Sequence, residues 1–155
     1  MSELVRLVVF LLDGQRYALP LSSVTRIVCA AEVTPIPNAP AIVFGVVNLQ
    51  GSVIPVLDVR QRFQLPRREI GVADQFLIAQ TRWRSVALVV DEAQGLVERE
   101  AFDVVNSNLI TPGLGALQGV IKLDDGLVLI HDLEQFLSLD EARTLDEAME
   151  RAEPC

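Results

Sequence analysis

Apolar residues fall into short runs of strand length, separated by turn signals, along most of the chain. Leu7 to Leu12 and Tyr17 to Leu21 flank Asp13-Gly14, a pair that favours a tight hairpin because both residues tolerate positive φ. Val8-Val9-Phe10-Leu11-Leu12 does not alternate with polar residues, and neither does Val86-Ala87-Leu88-Val89-Val90. Runs apolar on both faces belong to strands covered on both sides. They predict two small barrels pressed together, with a third apolar layer between them. Ser22 to Val28 is expected to pass from a helical turn into a strand. Thr34 to Pro40 reads as a stiff extended connector, because each proline fixes its own φ and disfavours helix at its predecessor.

Gly45 to Phe63, GVVNLQGSVIPVLDVRQRF, condenses the pattern into one unit. Two β-branched runs flank Gln50-Gly51, where glycine supplies the positive φ of a hairpin turn. Asp58 is then expected to cap a short helix with its side-chain oxygen. The unit recurs without a gap at an offset of 74, as GVIKLDDGLVLIHDLEQFL from Gly119. Gly45, Asp58 and Gln61 fall on Gly119, Asp132 and Gln135. Upstream, at an offset of 69, Ala18-Leu19 falls on Ala87-Leu88, Ser22 on Asp91 and Ile27-Val28 on Leu96-Val97. The chain therefore divides into two related halves, about 4–65 and about 76–139. Pro66 to Asp74 links them, Phe76 to Ala79 opens the second, and Thr81 to Arg84 forms its first hairpin tip. Arg99 to Gly119 reads as the longest irregular segment.

Residues 140–155 are set apart as an acidic helix and tail. Ser138 and Glu141 have capping-box spacing, and Leu139, Ala142, Leu145 and Met149 form a narrow apolar stripe. That stripe predicts a helix docked by one side, with a solvated acidic face on the other.

Composition narrows the function classes. Half of the 155 residues are hydrophobic, enough for a substantial core, and the formal charge of −8 with one lysine disfavours a nucleic-acid partner. No charged residue occurs from Val33 to Leu57, yet four prolines, Asn38, Asn48 and Gln50 would leave polar groups unpaired in lipid. The N-terminal run lacks a small-residue cleavage site, so a first strand is expected and no signal peptide. Two cysteines, Cys29 and Cys155, make neither a disulfide framework nor a metal set. A cytoplasmic protein without direct membrane insertion is the expectation.

No catalytic constellation emerges. His131 is the only histidine and replaces Leu57 in the repeat, which marks a core or capping position. The glycines at 113, 115 and 119 do not open a helix after a strand, so they fail the context of a dinucleotide site. Asp124-Asp125-Gly126 has too few ligands nearby for calcium and reads as a turn. Trp83 between Arg82 and Arg84 is an arginine-flanked hairpin tip, most simply solvated. No metal or cofactor is expected, and no enzyme.

The 45–63 unit is similar to the signature of CheW-like domains, close to G-V-x-N-L-R-G-x-I-x-P-V-x-D-L-R. The second copy resembles the family's closing motif, and VVFLLDGQRYALPLSSVTRIV and SVALVVDEAQGLV match its opening and middle. The resemblance runs from about Leu4 to Leu139, making 1–139 one CheW-like domain. It implies a mainly β fold of two SH3-like, five-stranded barrels packed together, with short helices and a C-terminal helix.

The resemblance further implies a non-enzymatic signalling adaptor. Its partners would be the cytoplasmic tip of methyl-accepting chemoreceptors and the regulatory domain of a CheA-like histidine kinase, at membrane-associated receptor arrays. Val24, Arg26, Asn48, Gln50, Ala87 and Leu96 are the residues it nominates for a receptor groove. Two of these depart from the family: position 26 is commonly acidic and position 50 usually arginine, an opposed ion pair replaced here by Arg26 and Gln50. That departure points to a divergent or alternative chemosensory system. A kinase-binding decoy that excludes receptors, and a small-ligand β-barrel, are the competing expectations.

Overall fold

The structure is a computed structural model that describes residues 4–100, 104–106, 117–123, 126–133 and 139–152. Its strands in chain order are β1 (Leu4–Leu12), β2 (Gln15–Pro20), β3 (Val24–Cys29), β4 (Val43–Leu49), β5 (Ser52–Leu57), β6 (Gln75–Gln80), β7 (Ser85–Val90), β8 (Glu92–Glu100), β9 (Val104–Asn106), β10 (Leu117–Leu123) and β11 (Gly126–His131). A 3₁₀ turn at Leu21–Ser23 precedes β3, a one-turn helix α1 (Val59–Arg62) follows β5, and helix α2 (Leu139–Ala152) ends the described chain. The Asp13-Gly14 and Gln50-Gly51 turns both hold two successive positive φ values, as the hairpin signals require.

The two halves are related but do not form one sheet each. One sheet has the order β8-β1-β2-β11-β10-β9 and the other β3-β6-β7-β5-β4. Each half thus lends its first hairpin to the other half's strands: β1–β2 sits with β8 and β11, and β6–β7 with β3 and β5. The repeat survives in the pairing itself. β2 runs parallel to β11 as β7 runs parallel to β5, and β1 is antiparallel to β8 as β6 is to β3. A bulge at Phe44 in β4 recurs at the matching Gln118 in β10. Strands from both parts of the chain therefore interlock in each barrel, and β9 adds a sixth strand to one of them.

The doubly apolar strands divide the core as expected. Along β1, Leu7 and Val9 pack with Ala18, Ile121, Val128 and Ile130 inside one barrel, while Val8, Phe10 and Leu12 face the layer between barrels. Along β7, Ala87 and Val89 pack inside the second barrel with Phe76, Ile78 and Val56, while Val86, Leu88 and Val90 meet the same middle layer. Each fully buried aliphatic side chain stabilises the fold by about 1.5–3 kcal/mol. The exchanged hairpins make that middle layer inseparable from both barrels.

Three local expectations are corrected. Asp58 makes no side-chain cap to α1; its carboxylate instead accepts from the Gln61 side chain at 3.4 Å, and its backbone N–H donates to the Ile42 carbonyl at 2.7 Å. The stretch from Arg99 to Gly119 is not irregular throughout. Arg99 and Glu100 end β8, Val104–Asn106 pairs as β9, and β10 begins at Leu117. The third concerns α2. It docks by its stripe as expected, with Leu145 and Met149 buried in the middle layer and Ala148 buried beside them, but its acidic face is not purely solvated: Glu141 pairs with Arg62 and Asp146 with Arg84. Ser138 of the expected capping box, the 113–115 glycines and Asp124-Asp125 lie outside the described residues.

Docking through the stripe has a measurable consequence. Leu145→Ala removes a side chain that is 1% exposed and is expected to cost about 2 kcal/mol in denaturant unfolding, with the transition still cooperative. Arg143→Ala, on an exposed position of the same helix, is expected to stay within about 0.5 kcal/mol of the parent.

Candidate functional site

The candidate surface forms where the second sheet curls so that its two edges face each other. β3 and β4 are those edges. A backbone bridge ties the connector after β3 to β4, with Thr34 N–H donating to the Val46 carbonyl at 2.9 Å and Val46 N–H to the Thr34 carbonyl at 2.8 Å. Gly45 permits this approach, and the connector through Pro35 and Pro37 carries the chain around it.

Side chains complete the closure at the other end. Residues along β3 alternate: Val24, Arg26 and Val28 are half-buried, while Thr25, Ile27 and Cys29 are exposed. Val24 packs against the middle layer and Val28 against the second barrel's core, so Arg26 emerges between the two cores. Its Nη1 donates to Gln50 Oε1 at 3.3 Å. The Gln50-Gly51 turn that presents this amide is fixed from below, since Asn48 Oδ1 accepts the Gly51 N–H at 3.0 Å. Positions 26 and 50 oppose one another, as the sequence resemblance led one to expect, but as a cation against a neutral amide.

Not all six nominated residues share this surface. Val24, Arg26, Asn48 and Gln50 do. Ala87 does not: it is 0% exposed inside the second barrel, because an inward position on a doubly covered strand leaves no free face. Leu96 is 56% exposed but lies on β8, the edge of the other sheet. It is the repeat counterpart of Ile27, which is also exposed, and Val53 and Leu127 form a second exposed pair related in the same way. Each barrel thus offers an apolar residue on its edge strand and another on the strand beside its second hairpin turn.

His131 is a core residue. It is buried against the Phe63 ring at 4.2 Å and the Tyr17 ring at 5.3 Å, and those two rings stack at 4.4 Å. Burial, with the Asp13 charge and against the pull of Arg60, raises the Tyr17 pKa, so its hydroxyl stays protonated. Among the described residues no cluster of His, Cys, Asp or Glu could hold a metal ion, and no helix is long and apolar enough to cross a membrane.

Sequence reasoning missed an ionic cluster gathered around α1. Arg60 on α1, with a side chain 7% exposed, donates from Nη2 to both Asp91 carboxylate oxygens at 2.8 and 2.9 Å, and from Nη1 to Asp13 Oδ1 at 3.2 Å. Arg68 grips Asp74 with two bonds at 3.0 and 2.8 Å and also reaches Asp91. The Asp13 N–H adds a bond to Asp91 at 2.9 Å. Burial alone would raise the Asp91 pKa, but the bonds from Arg60, the Asp13 amide and Arg68 outweigh it and hold the carboxyl below its usual value. In the repeat Asp91 falls on Ser22, so the first half has no charge at the matching position.

Comparison with known proteins agrees with this architecture. Residues 6–141 match the family model described as CheW-like domain. Chemotaxis protein CheW of Treponema pallidum is 27% identical over 150 residues, covering 93% of this chain and 88% of that protein. Chemotaxis protein CheW of Bacillus subtilis is 34% identical over 92 residues, 59% of each chain. The crystal structure of scaffolding protein TtCheW from Thermoanaerobacter tengcongensis superposes with a TM-score of 0.78 at 25% identity, covering 91% of both chains. With a matching family model across most of its length and interlocked barrels to go with it, the chain belongs to the CheW-like domain family.

Proposed function

We propose that this chain is a non-catalytic signalling adaptor that couples chemoreceptor-type sensors to a CheA-like histidine kinase in a divergent chemosensory system. Family membership supports the adaptor role, with the receptor's cytoplasmic tip and the kinase's regulatory domain as its partners at a receptor array. The observation that carries the divergence is the Arg26–Gln50 contact. Where the family commonly sets an acid against an arginine, this surface carries one uncompensated positive charge.

An exposed pair of this kind contributes roughly 0–1 kcal/mol to the fold, so its replacement leaves the barrel intact. At an interface the same charges select partners and reject wrong ones. Val24, Arg26, Asn48 and Gln50 are the contact residues of this reading, and Leu96 would belong to a separate contact on the other sheet.

The test is the double replacement Arg26→Glu with Gln50→Arg. Binding to receptor tips from a system whose adaptor carries the acid–arginine pair is expected to tighten by about tenfold or more, equivalent to about 1.4 kcal/mol, with the melting temperature unchanged. Unchanged binding in a folded double variant would overturn the assignment of specificity to this pair.

A further inference from the structure

A second feature of the same barrel lies roughly 20 Å along β4 from the Gln50-Gly51 turn, at strand rise, and does not depend on the adaptor reading. Ala31, Glu32 and Val33, which follow β3, meet Phe44 of β4 and the linker residues Glu69 and Ile70 around an open cavity of about 340 Å³. Sites for small molecules span roughly 300–1,000 Å³, so the cavity belongs at their lower end. Its lining is too small for a protein interface, which takes about 20–30 residues from each side.

The walls are fixed before any ligand arrives. The Ala30 N–H donates to the Asp74 carbonyl at 3.0 Å, which ties the start of the Ala31–Val33 wall to the linker. The linker is held in turn by the Asp74 carboxylate, which accepts from the Gly71 N–H at 2.7 Å and from Arg68 at 2.8 and 3.0 Å. On the other side the Thr34–Val46 bridge secures the same wall to β4 close to Phe44. Walls held this way lose little further freedom when the space between them is filled.

Floor and rim differ in chemistry. The floor is apolar, since Val33, Phe44 and Ile70 are half-buried and pack directly against the second barrel's buried core. The rim is acidic. Among the described residues the exposed Glu32 and Glu69 side chains make no ion pair, whereas Asp74, Asp91, Glu98, Glu141 and Asp146 each meet an arginine. A neutral apolar molecule would leave both carboxylates without a counter-charge, and an anion would be repelled. A bare inorganic cation would leave the floor uncovered, and the described residues hold no cluster of metal ligands. We propose that the cavity binds a small organic amine, its ammonium group set against Glu32 and Glu69 and its aromatic or aliphatic body laid on Val33, Phe44 and Ile70.

Phenethylamine is a suitable probe, with phenethyl alcohol as the same body without charge and methylammonium as the charge without the body. Added to the full isotope-labelled chain, the amine is expected to saturate on the order of millimolar concentration, as suits a ligand of about ten non-hydrogen atoms. It should move the backbone amide resonances of residues 31–33, 44, 69 and 70 and raise the melting temperature. The alcohol and methylammonium should each bind at least about tenfold more weakly. Glu32→Gln with Glu69→Gln changes two exposed positions, so it should leave the fold intact, weaken the amine by about tenfold and leave the alcohol unaffected. Amine-induced shifts that fail to saturate, or that fall elsewhere on the barrels, would overturn the proposal. Equal binding of amine and alcohol, or undiminished amine binding by the glutamine pair, would overturn it as well.

Discussion

Gly45→Ala is expected to destabilise the protein by about 3–5 kcal/mol, a large share of the 5–15 kcal/mol typical of a domain. The backbone at Gly45 has φ of +154°, and a Cβ built there would lie 2.3 Å from the Thr34 carbonyl oxygen, 2.7 Å from its carbon and 2.9 Å from Pro35 Cα. All three are backbone atoms, so no side chain can swing aside. Relief requires breaking the Thr34–Val46 bridge, with two hydrogen bonds of about 0.5–1.5 kcal/mol each, on top of a backbone strain of about 1–3 kcal/mol. Gly51→Ala is the matched control. Its φ is +88° but no atom lies within 4 Å of a Cβ there, so the cost is about 1–2 kcal/mol from conformation alone. Urea unfolding of both variants checks the difference, and the larger loss at 45 isolates the crowding at the sheet's closing edge.

Arg60→Ala is the second large effect, at about 3 kcal/mol near neutral pH. Removing the guanidinium leaves Asp91 and Asp13 facing each other in a partly buried site with only Arg68 to compensate Asp91, the situation in which a broken ion pair costs most. The same cluster sets an acid limit. Because the Asp91 pKa is lowered in the folded state from its ordinary 3.8, its stabilisation is fully present above that value and is lost as pH falls through the lower folded value. Asp91→Asn is therefore expected to be less stable than the parent at pH 7 and to lose stability less steeply below about pH 4. Thermal melts of both proteins from pH 7 to pH 3 provide the check. Parallel curves would remove Asp91 from the acid response.

Much of the fold was legible because its signals are local. Val8 to Leu12 and Val86 to Val90 are apolar on both faces because each strand serves two cores. The Asp13-Gly14 and Gln50-Gly51 turns followed from their need for positive φ. What stayed hidden depends on distant partners. A strand's own residues do not say that β2 will lie parallel to β11 or β7 to β5, so the exchange of hairpins between repeats could not be read. The ionic cluster joins positions 13, 60, 68, 74 and 91, scattered charges that look solvated until the chain folds. Ala87 was nominated through the family resemblance, although its run, apolar on both faces, already marked a strand covered on both sides.

The candidate surface was legible at the level of residue pairs. Motif comparison set 26 against 50 before any geometry was known, and the curled sheet brings them to 3.3 Å because its two edges meet there. Leu96, nominated with them by the family resemblance, lies on the other sheet.

The bridging role itself is tested most directly by co-sedimenting three purified components: this chain, the regulatory domain of a CheA-like kinase and receptor cytoplasmic tips from the same system. A ternary complex is expected in which the chain is required for the kinase domain to pellet with the receptor. Mutually exclusive binding of the two partners, or kinase binding with no receptor binding, would contradict the adaptor and leave a decoy in its place.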